Sequence, residues 1–355
     1  MTPEGINENE LRLRYSEEVQ ELKAQLKAKD DILSGYKKEH GKLEVFFGSL
    51  SEAISPISPL RSQPISASKS VLSESESVAV MQISDGHMGS VQEPSEIENF
   101  NIFNPEICRD RQIKYVERFL HWIDMHRQSH NIRQVAVIVT GDLISGDIHE
   151  ELKVTNEFPA PVQVVEAARV LSEQMALLAP HFERVDVHFI TEDNHARLTR
   201  KPQAKEAGFN SLNYLVGMLA DAYLEKHDNI EFNIYPMFEK VISVSTRQYL
   251  ISHGHGMTGW MGIPWYSITR HVGKEALNRM SIIMGDLTRA KDIGFHKYIF
   301  GHWHTPFDHP VYSCCGSVSG TDAFDHKQGR FSEPSQSSWI VHPNWGEFDR
   351  INFNL

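Results

Sequence analysis

The chain has 355 residues, 40% hydrophobic and 23% charged, which suits a soluble globular protein with a substantial core. No stretch approaches the ~20 consecutive apolar residues of a membrane span, and the N-terminus, Met-Thr-Pro-Glu-Gly-Ile-Asn-Glu, lacks the basic and apolar regions of a secretion leader. The net charge of −12 makes a poor general binder of duplex DNA, and three cysteines with no Cys-x-x-Cys pair exclude a zinc ribbon and a paired disulfide framework, so a reducing cytoplasm is expected.

From about Glu8 to Leu43 the chain is polar and helix-favouring, and Tyr15, Val19, Leu22, Leu26, Leu33, Tyr36 and Leu43 recur in heptad spacing. Residues 1–50 are therefore expected to be a helix, either a coiled coil that makes homo-oligomers or a helix lying on its own chain. Residues 51–77 are serine-rich, with Pro56, Pro59 and Pro64 forbidding regular helix, and are expected to be a linker or a draped segment. In the third region, residues 78–355, the β-branched runs Val78–Ile83, Val135–Val139 and Val185–Ile190 predict strands. Helical patterns separate and follow them at about Arg109–Gln128, Pro161–Leu178 and Asn210–Glu225. Further strands are predicted at Val241–Val244, Tyr249–Ser252, Tyr298–Phe300 and Trp339–Val341. Alternation of strand and helix, then a strand-rich second half, predicts an α/β sandwich with a mixed sheet.

Chemistry-bearing residues fall just past five of these strands. The first leads into Ser84-Asp85-Gly86-His87, the second into Gly141-Asp142, and the third into Asp193-Asn194-His195-Ala196-Arg197. Two later strands deliver His253-Gly254-His255 and Gly301-His302-Trp303-His304. Ligand sites in α/β sheets collect outside the carboxyl ends of strands, so the five blocks are expected to converge. Asp-x-His alone is a weak signal; the ordered set of five is a strong one.

In that order, Asp-x-His, Gly-Asp, Asn-His, His and Gly-His-x-His resemble the five-block signature of the calcineurin-like metallophosphoesterases. The blocks are closest to the DNA-repair-nuclease-like branch and its phage and bacterial relatives. The resemblance covers residues 78–355 and implies a β-sandwich flanked by helices with a dinuclear metal centre. It implies that Asp85, His87 and His304 hold one metal, that Asn194, His253 and His302 hold the other, and that Asp142 bridges both. His195 would face the substrate phosphate as the catalytic histidine. Mixed imidazole and carboxylate donors suit two divalent transition-metal ions, Mn²⁺ foremost, with Fe or Zn²⁺ as alternatives. Such a pair can clamp the phosphoryl oxygens of an in-line displacement. The implied protein is a metal-dependent phosphoesterase, bacterial or phage-encoded. Its implied substrate is a phosphodiester, in single-stranded DNA or a nucleotide. Alternatives are a phosphomonoesterase or phosphoprotein phosphatase with the same centre, and an oligomerising structural protein with a vestigial site. Every ligand position is filled, which weighs against the last.

The family usually has glycine where this chain has Asp193, a residue that tolerates left-handed backbone and adds a carboxylate near the site. Arg197 is a candidate phosphate contact or a solvated arginine. His255 points either inward or to solvent. Trp260, Trp265 and Tyr266, among Gly259, Gly262 and Pro264, read as a loop that packs down or stacks a nucleobase. Packing is the favoured reading. Gly316–Asp322 reads as a turn.

Overall fold

The computed structural model describes residues 76–355 apart from Trp260 and Met261, and before them only Gln20, Lys23, Lys27 and Lys29, which are helical and exposed. The heptad seam and residues 51–75 of the serine-rich segment, with the coiled-coil and oligomer readings placed on them, lie outside the described residues; the last two residues of that segment, Glu76 and Ser77, belong instead to the first strand. The chain divides into two units, Met1–Ser55 and Pro56–Leu355, and the architecture is that of the second.

The strands are β1 Glu76–Ile83, β2 Asn131–Val139, β3 Arg184–Ile190, β4 Ile230–Tyr235, β5 Glu239–Val244, β6 Arg247–Ser252, β7 Lys297–Phe300, β8 Phe307–His309, β9 Tyr312–Cys314, β10 Ser335–His342 and β11 Gly346–Asn354. The helices are α1 Pro105–His126, α2 Glu150–Thr155, α3 Ala160–Leu178, α4 Leu212–Tyr223, α5 Trp265–Gly285, α6 Ala290–Ile293 and α7 Ala323–Lys327. Six strands form one sheet in the order β11-β10-β1-β2-β3-β4, and five form a second in the order β5-β6-β7-β9-β8. The strands β1 to β4 pair in parallel, with β10 antiparallel to β1, while β6 and β7 are parallel in the second sheet. The result is a mixed α/β sandwich of two mixed sheets with flanking helices, as the strand and helix pattern predicts.

Its core explains the unbroken apolar runs. Val80, Ala136, Ile138 and Ile190 of the first sheet meet Ile242, Tyr249, Ile251 and Ile299 of the second. A strand buried on both faces has no solvent side to alternate toward. Trp339 donates its indole N–H to the Tyr249 hydroxyl at 3.0 Å, linking the sheets at the centre of that core. A second cluster buries Leu250, Tyr298 and Phe300 against Ile268 and Val272 of α5. Outside the first sheet, α1 starts at Asn104, whose side chain accepts from Ile107 N–H with Pro105 in the first turn. The α1 residue Tyr115 donates its hydroxyl to main-chain oxygens of Gln82 and Ser337 at 3.1 and 2.8 Å.

One local reading is corrected. Trp265 and Tyr266 open α5 rather than sitting in a loop; Trp265 packs one edge against Phe307, ring centres 4.6 Å apart, while staying 52% exposed, and Tyr266 is 79% exposed. Gly259, Gly262 and Pro264 act as breakers only up to the helix start, where proline's fixed φ is compatible with the first helical turn. The strands β4, β8, β9 and β11 lie beyond the predicted set, although β4, Ile-Glu-Phe-Asn-Ile-Tyr, alternates apolar and polar residues as a half-buried strand does. They lack long apolar β-branched runs, and β4 and β8 lie at sheet edges. Among the described residues, no helix is long and apolar enough to cross a membrane.

Candidate metal centre

All five blocks arrive where expected, on turns leaving the carboxyl ends of β1, β2, β3, β6 and β7. Pairing continues past the strands: Asp85 N donates to Gly141 O at 3.1 Å and His87 N to Asp142 O at 3.0 Å, which holds the first two turns side by side. Asp85, His87, Asp142, His302 and His304 all have positive φ, between 48° and 71°. For residues with a Cβ this costs of order 1–3 kcal/mol each and persists only where the surroundings over-determine it. Strain concentrated on five of the seven expected ligands marks the turns as built for the position of their side chains.

The turns bring the side chains together. Asp85, His87 and His304 form one group whose donor atoms lie within 4.8 Å of one another, and Asp142, His253 and His302 form a second. Asn194 Oδ1 lies 2.9 Å from His253 Nε2, which is also 2.9 Å from Asp142 Oδ2. Asp142 joins a third group with His87 and His195, so its carboxylate stands between the two halves. The amide of His302 donates to both oxygens of Asp85 at 3.0 Å. Gly301 is required for this approach, since a Cβ there would run into Ser84 Oγ and the Asp85 carboxylate.

Three imidazoles share one arrangement. His195 Nδ1 faces Ser145 O at 2.7 Å, His253 Nδ1 faces Thr140 O at 2.8 Å, and His304 Nδ1 faces Asp325 Oδ2 at 2.5 Å. Each contact uses the Nδ1 proton and turns Nε2 toward the centre. This is how histidines that ligate metals are typically oriented.

Protons balance the cluster's charge. Burial alone would raise the Asp142 carboxyl, but the His253 and His195 imidazoles beside it hold it well below the usual carboxylate range. Burial opposes protonation of His253 and His304 too. It is outweighed by Asp142 at His253, which is raised to about 9, and by Asp325 at His304, which is raised to about 10. His87 and His302 go well below the ordinary imidazole value through burial and neighbouring imidazoles.

Asp193 does not take the left-handed backbone its glycine-like position allowed for; its φ is not positive. Its buried carboxylate accepts from Asp142 N at 2.7 Å, Ala196 N at 2.8 Å and the Asn213 side-chain amide. It thus ties the β2 turn, the β3 turn and α4 together, and burial with the nearby Asp142 pushes its carboxyl up to about 8. Arg197 donates through Nε to Thr199 O at 3.1 Å and lines a polar cavity of about 40 Å³ with Glu192, Asp193 and His255. His255 points inward, its ring 5.6 Å from His253 and packed edge-on against Phe238. The Gly316–Asp322 turn braces the site, with Val318 N donating to Asp85 O at 3.0 Å.

Asp325 and Arg330 carry no signal in the sequence. Asp325 is buried on the short helix α7, against His304 on one side and the Arg330 guanidinium, 2.6 Å away, on the other. Asp322 caps that helix by accepting from Asp325 N at 2.7 Å. The Asp-x-x-Asp spacing signals a helix start, but nothing local says which histidine the second aspartate meets.

No family model and no curated protein matches the chain. Solved structures similar to it include Vps29 from Entamoeba histolytica complexed with Zn²⁺, at 13% identity and a TM-score of 0.30 over 78% of this chain and 99% of that one. Yfce, a phosphoesterase from E. coli, is 13% identical with a TM-score of 0.29 over 77% and 98% of the two chains. The sulfate thiohydrolase SoxB from Thermus thermophilus, in complex with glycerol, is 8% identical with a TM-score of 0.29 over 78% and 56%. At these values the likenesses leave the assignment of function to this chain's own residues.

Proposed function

We propose that the protein is a metal-dependent phosphoesterase of the calcineurin-like type that hydrolyses a phosphodiester, in nucleic acid or a nucleotide. The observation that carries this reading is the shared orientation of His195, His253 and His304, each anchored at Nδ1 and presenting Nε2 to a buried centre that also contains Asp85 and Asp142. The donor set fits two divalent transition-metal ions, with Asp85, His87 and His304 on one side, Asn194, His253 and His302 on the other, and Asp142 shared. When bound, such ions supply Lewis-acid stabilisation of the phosphoryl oxygens. The chain's own part is to hold the donors rigidly, to keep the centre out of bulk water, and to place His195 at its more open side. His195 Nε2 lies 3.9 Å from Asp142 Oδ2, and its role in this reading would be to give a proton to the oxygen leaving the phosphorus.

The test joins metal uptake to turnover. At pH 7 His253 and His304, raised to about 9 and about 10, hold protons that a cation must displace. Uptake of Mn²⁺ or Zn²⁺ by the metal-free protein is therefore expected to release protons. Apparent affinity should rise as pH climbs toward 9 and fall as pH drops. The loaded protein should hydrolyse bis-p-nitrophenyl phosphate faster than p-nitrophenyl phosphate. Uptake of fewer than two ions per chain removes the dinuclear reading, and the reverse substrate preference points to a phosphomonoesterase.

Asp325→Asn keeps the shape of the side chain but not the charge facing His304. It is expected to weaken metal binding by roughly 10–100-fold, the usual cost of losing the partner that orients a ligating histidine. Equilibrium dialysis of the wild type and the variant decides it. Equal affinities would show that Asp325 only seats Arg330.

A further inference from the structure

The loop after His195 breaks with the acidity of the whole chain. From Arg197 to Asn210 it carries Arg197, Arg200, Lys201 and Lys205 against one acidic residue, Glu206, in a protein of net charge −12. Arg200, Lys201 and Lys205 are exposed. Arg200 pairs with Glu150 at the start of α2, while among the described residues Lys201 and Lys205 have no ion-pair partner.

The loop is a held structure. Its ends are zipped together by Leu198 N donating to Asn210 O at 3.1 Å and by the Arg197–Ser211 bridge. Its far side is tied down by Thr191 Oγ1 donating to Gly208 O at 2.7 Å. One end therefore starts beside His195 and Asp193, and the other carries Phe209, whose ring is 54% exposed and stands edge-on to Tyr214 at 5.3 Å. An aromatic ring open to solvent, four residues along the same loop from the exposed Lys205, is the combination that holds an unstacked base and its phosphates.

We propose that this loop is the docking surface for single-stranded nucleic acid, with Arg200, Lys201 and Lys205 following the backbone and Phe209 stacking a base beyond the site. The inference rests on the phosphodiester reading above and adds the surface of this chain that would recognise a single strand. Duplex is disfavoured because its bases are already stacked, leaving Phe209 nothing to cover, and because the surrounding negative charge repels a wider polyanion.

The test compares the full-length Mn²⁺-loaded protein with R200Q/K201Q/K205Q and with F209A, on fluorescein-labelled oligo(dT) and on bis-p-nitrophenyl phosphate. The triple variant should lose about tenfold or more in kcat/KM on the oligonucleotide, chiefly through KM. Its dependence of log kcat/KM on log salt should flatten by about 2, since each single-strand phosphate contact contributes roughly 0.7. F209A should lose about tenfold on the oligonucleotide. Both variants should stay within about twofold of the wild type on the small diester, which is too short to reach the loop. Equal losses on the two substrates, or unchanged oligonucleotide kinetics and salt slope, would overturn the proposal. So would polyglutamate competing as well as oligo(dT) at matched charge, which would make the loop a general anion surface. If the wild type hydrolyses only p-nitrophenyl phosphate, the phosphodiester reading fails. Fluorescence anisotropy of the same oligonucleotide then decides the loop by itself: binding lost in both variants keeps it, and binding unchanged removes it.

Discussion

Asp142→Asn is expected to cost at least ~10³ in kcat on bis-p-nitrophenyl phosphate and to release metal from both halves of the centre. Lewis-acid stabilisation is worth several kcal/mol, and each 1.36 kcal/mol is tenfold in rate. Asp142 is almost fully buried, 2.9 Å from His253 Nε2, and belongs to two of the candidate ligand groups. It is also the charge that chiefly raises His253. An amide of the same shape keeps the turn but removes the one anion common to both sides. Elemental analysis alongside kcat is the check. Two ions retained, with a rate within tenfold of the wild type, would end the bridging role.

His195→Ala is expected to keep both metals and to lose roughly 10²–10⁴ in rate, the usual worth of a positioned proton donor. The metals should stay because the substitution spares the residue's backbone N–H, which donates to Asp142 Oδ1 at 3.3 Å. The lost group is an imidazole whose side chain is 19% exposed, against 0% for His253, and whose ring centre lies 4.8 Å from that of His87. Loss should be larger for a nucleoside leaving group, which departs as a poor alkoxide, than for p-nitrophenolate, which needs no proton. Equal losses on both would leave His195 an electrostatic role only. A lost metal would make His195 a ligand, as its grouping with His87 and Asp142 allows.

Much of this is legible in the residues alone. Runs such as Val78–Ile83 and Val135–Val139 declare strands because a strand covered on both faces must be apolar throughout, and that information is local. The order of Asp85, His87, Asp142, Asn194, His253, His302 and His304 is equally local: each lies within four residues of a strand end, and parallel strands deliver their ends to one edge. The sequence by itself therefore determined the α/β sandwich and which side chains share a centre.

The tertiary structure decided what orients them. Asp193 reaches Asp142, 51 positions earlier, and Asn213, 20 later; Asp325 meets His304 across 21 residues. The Nδ1 anchors at Ser145 and Thr140 are main-chain oxygens that any residue would offer. Such partners leave no periodicity or spacing to read, because a hydrogen bond depends on where the fold puts two atoms and not on how the chain is written between them. The heptad positions before residue 50 stand at the opposite extreme. The spacing is legible in the residues, but such a spacing acquires its meaning only from the surface that would cover it.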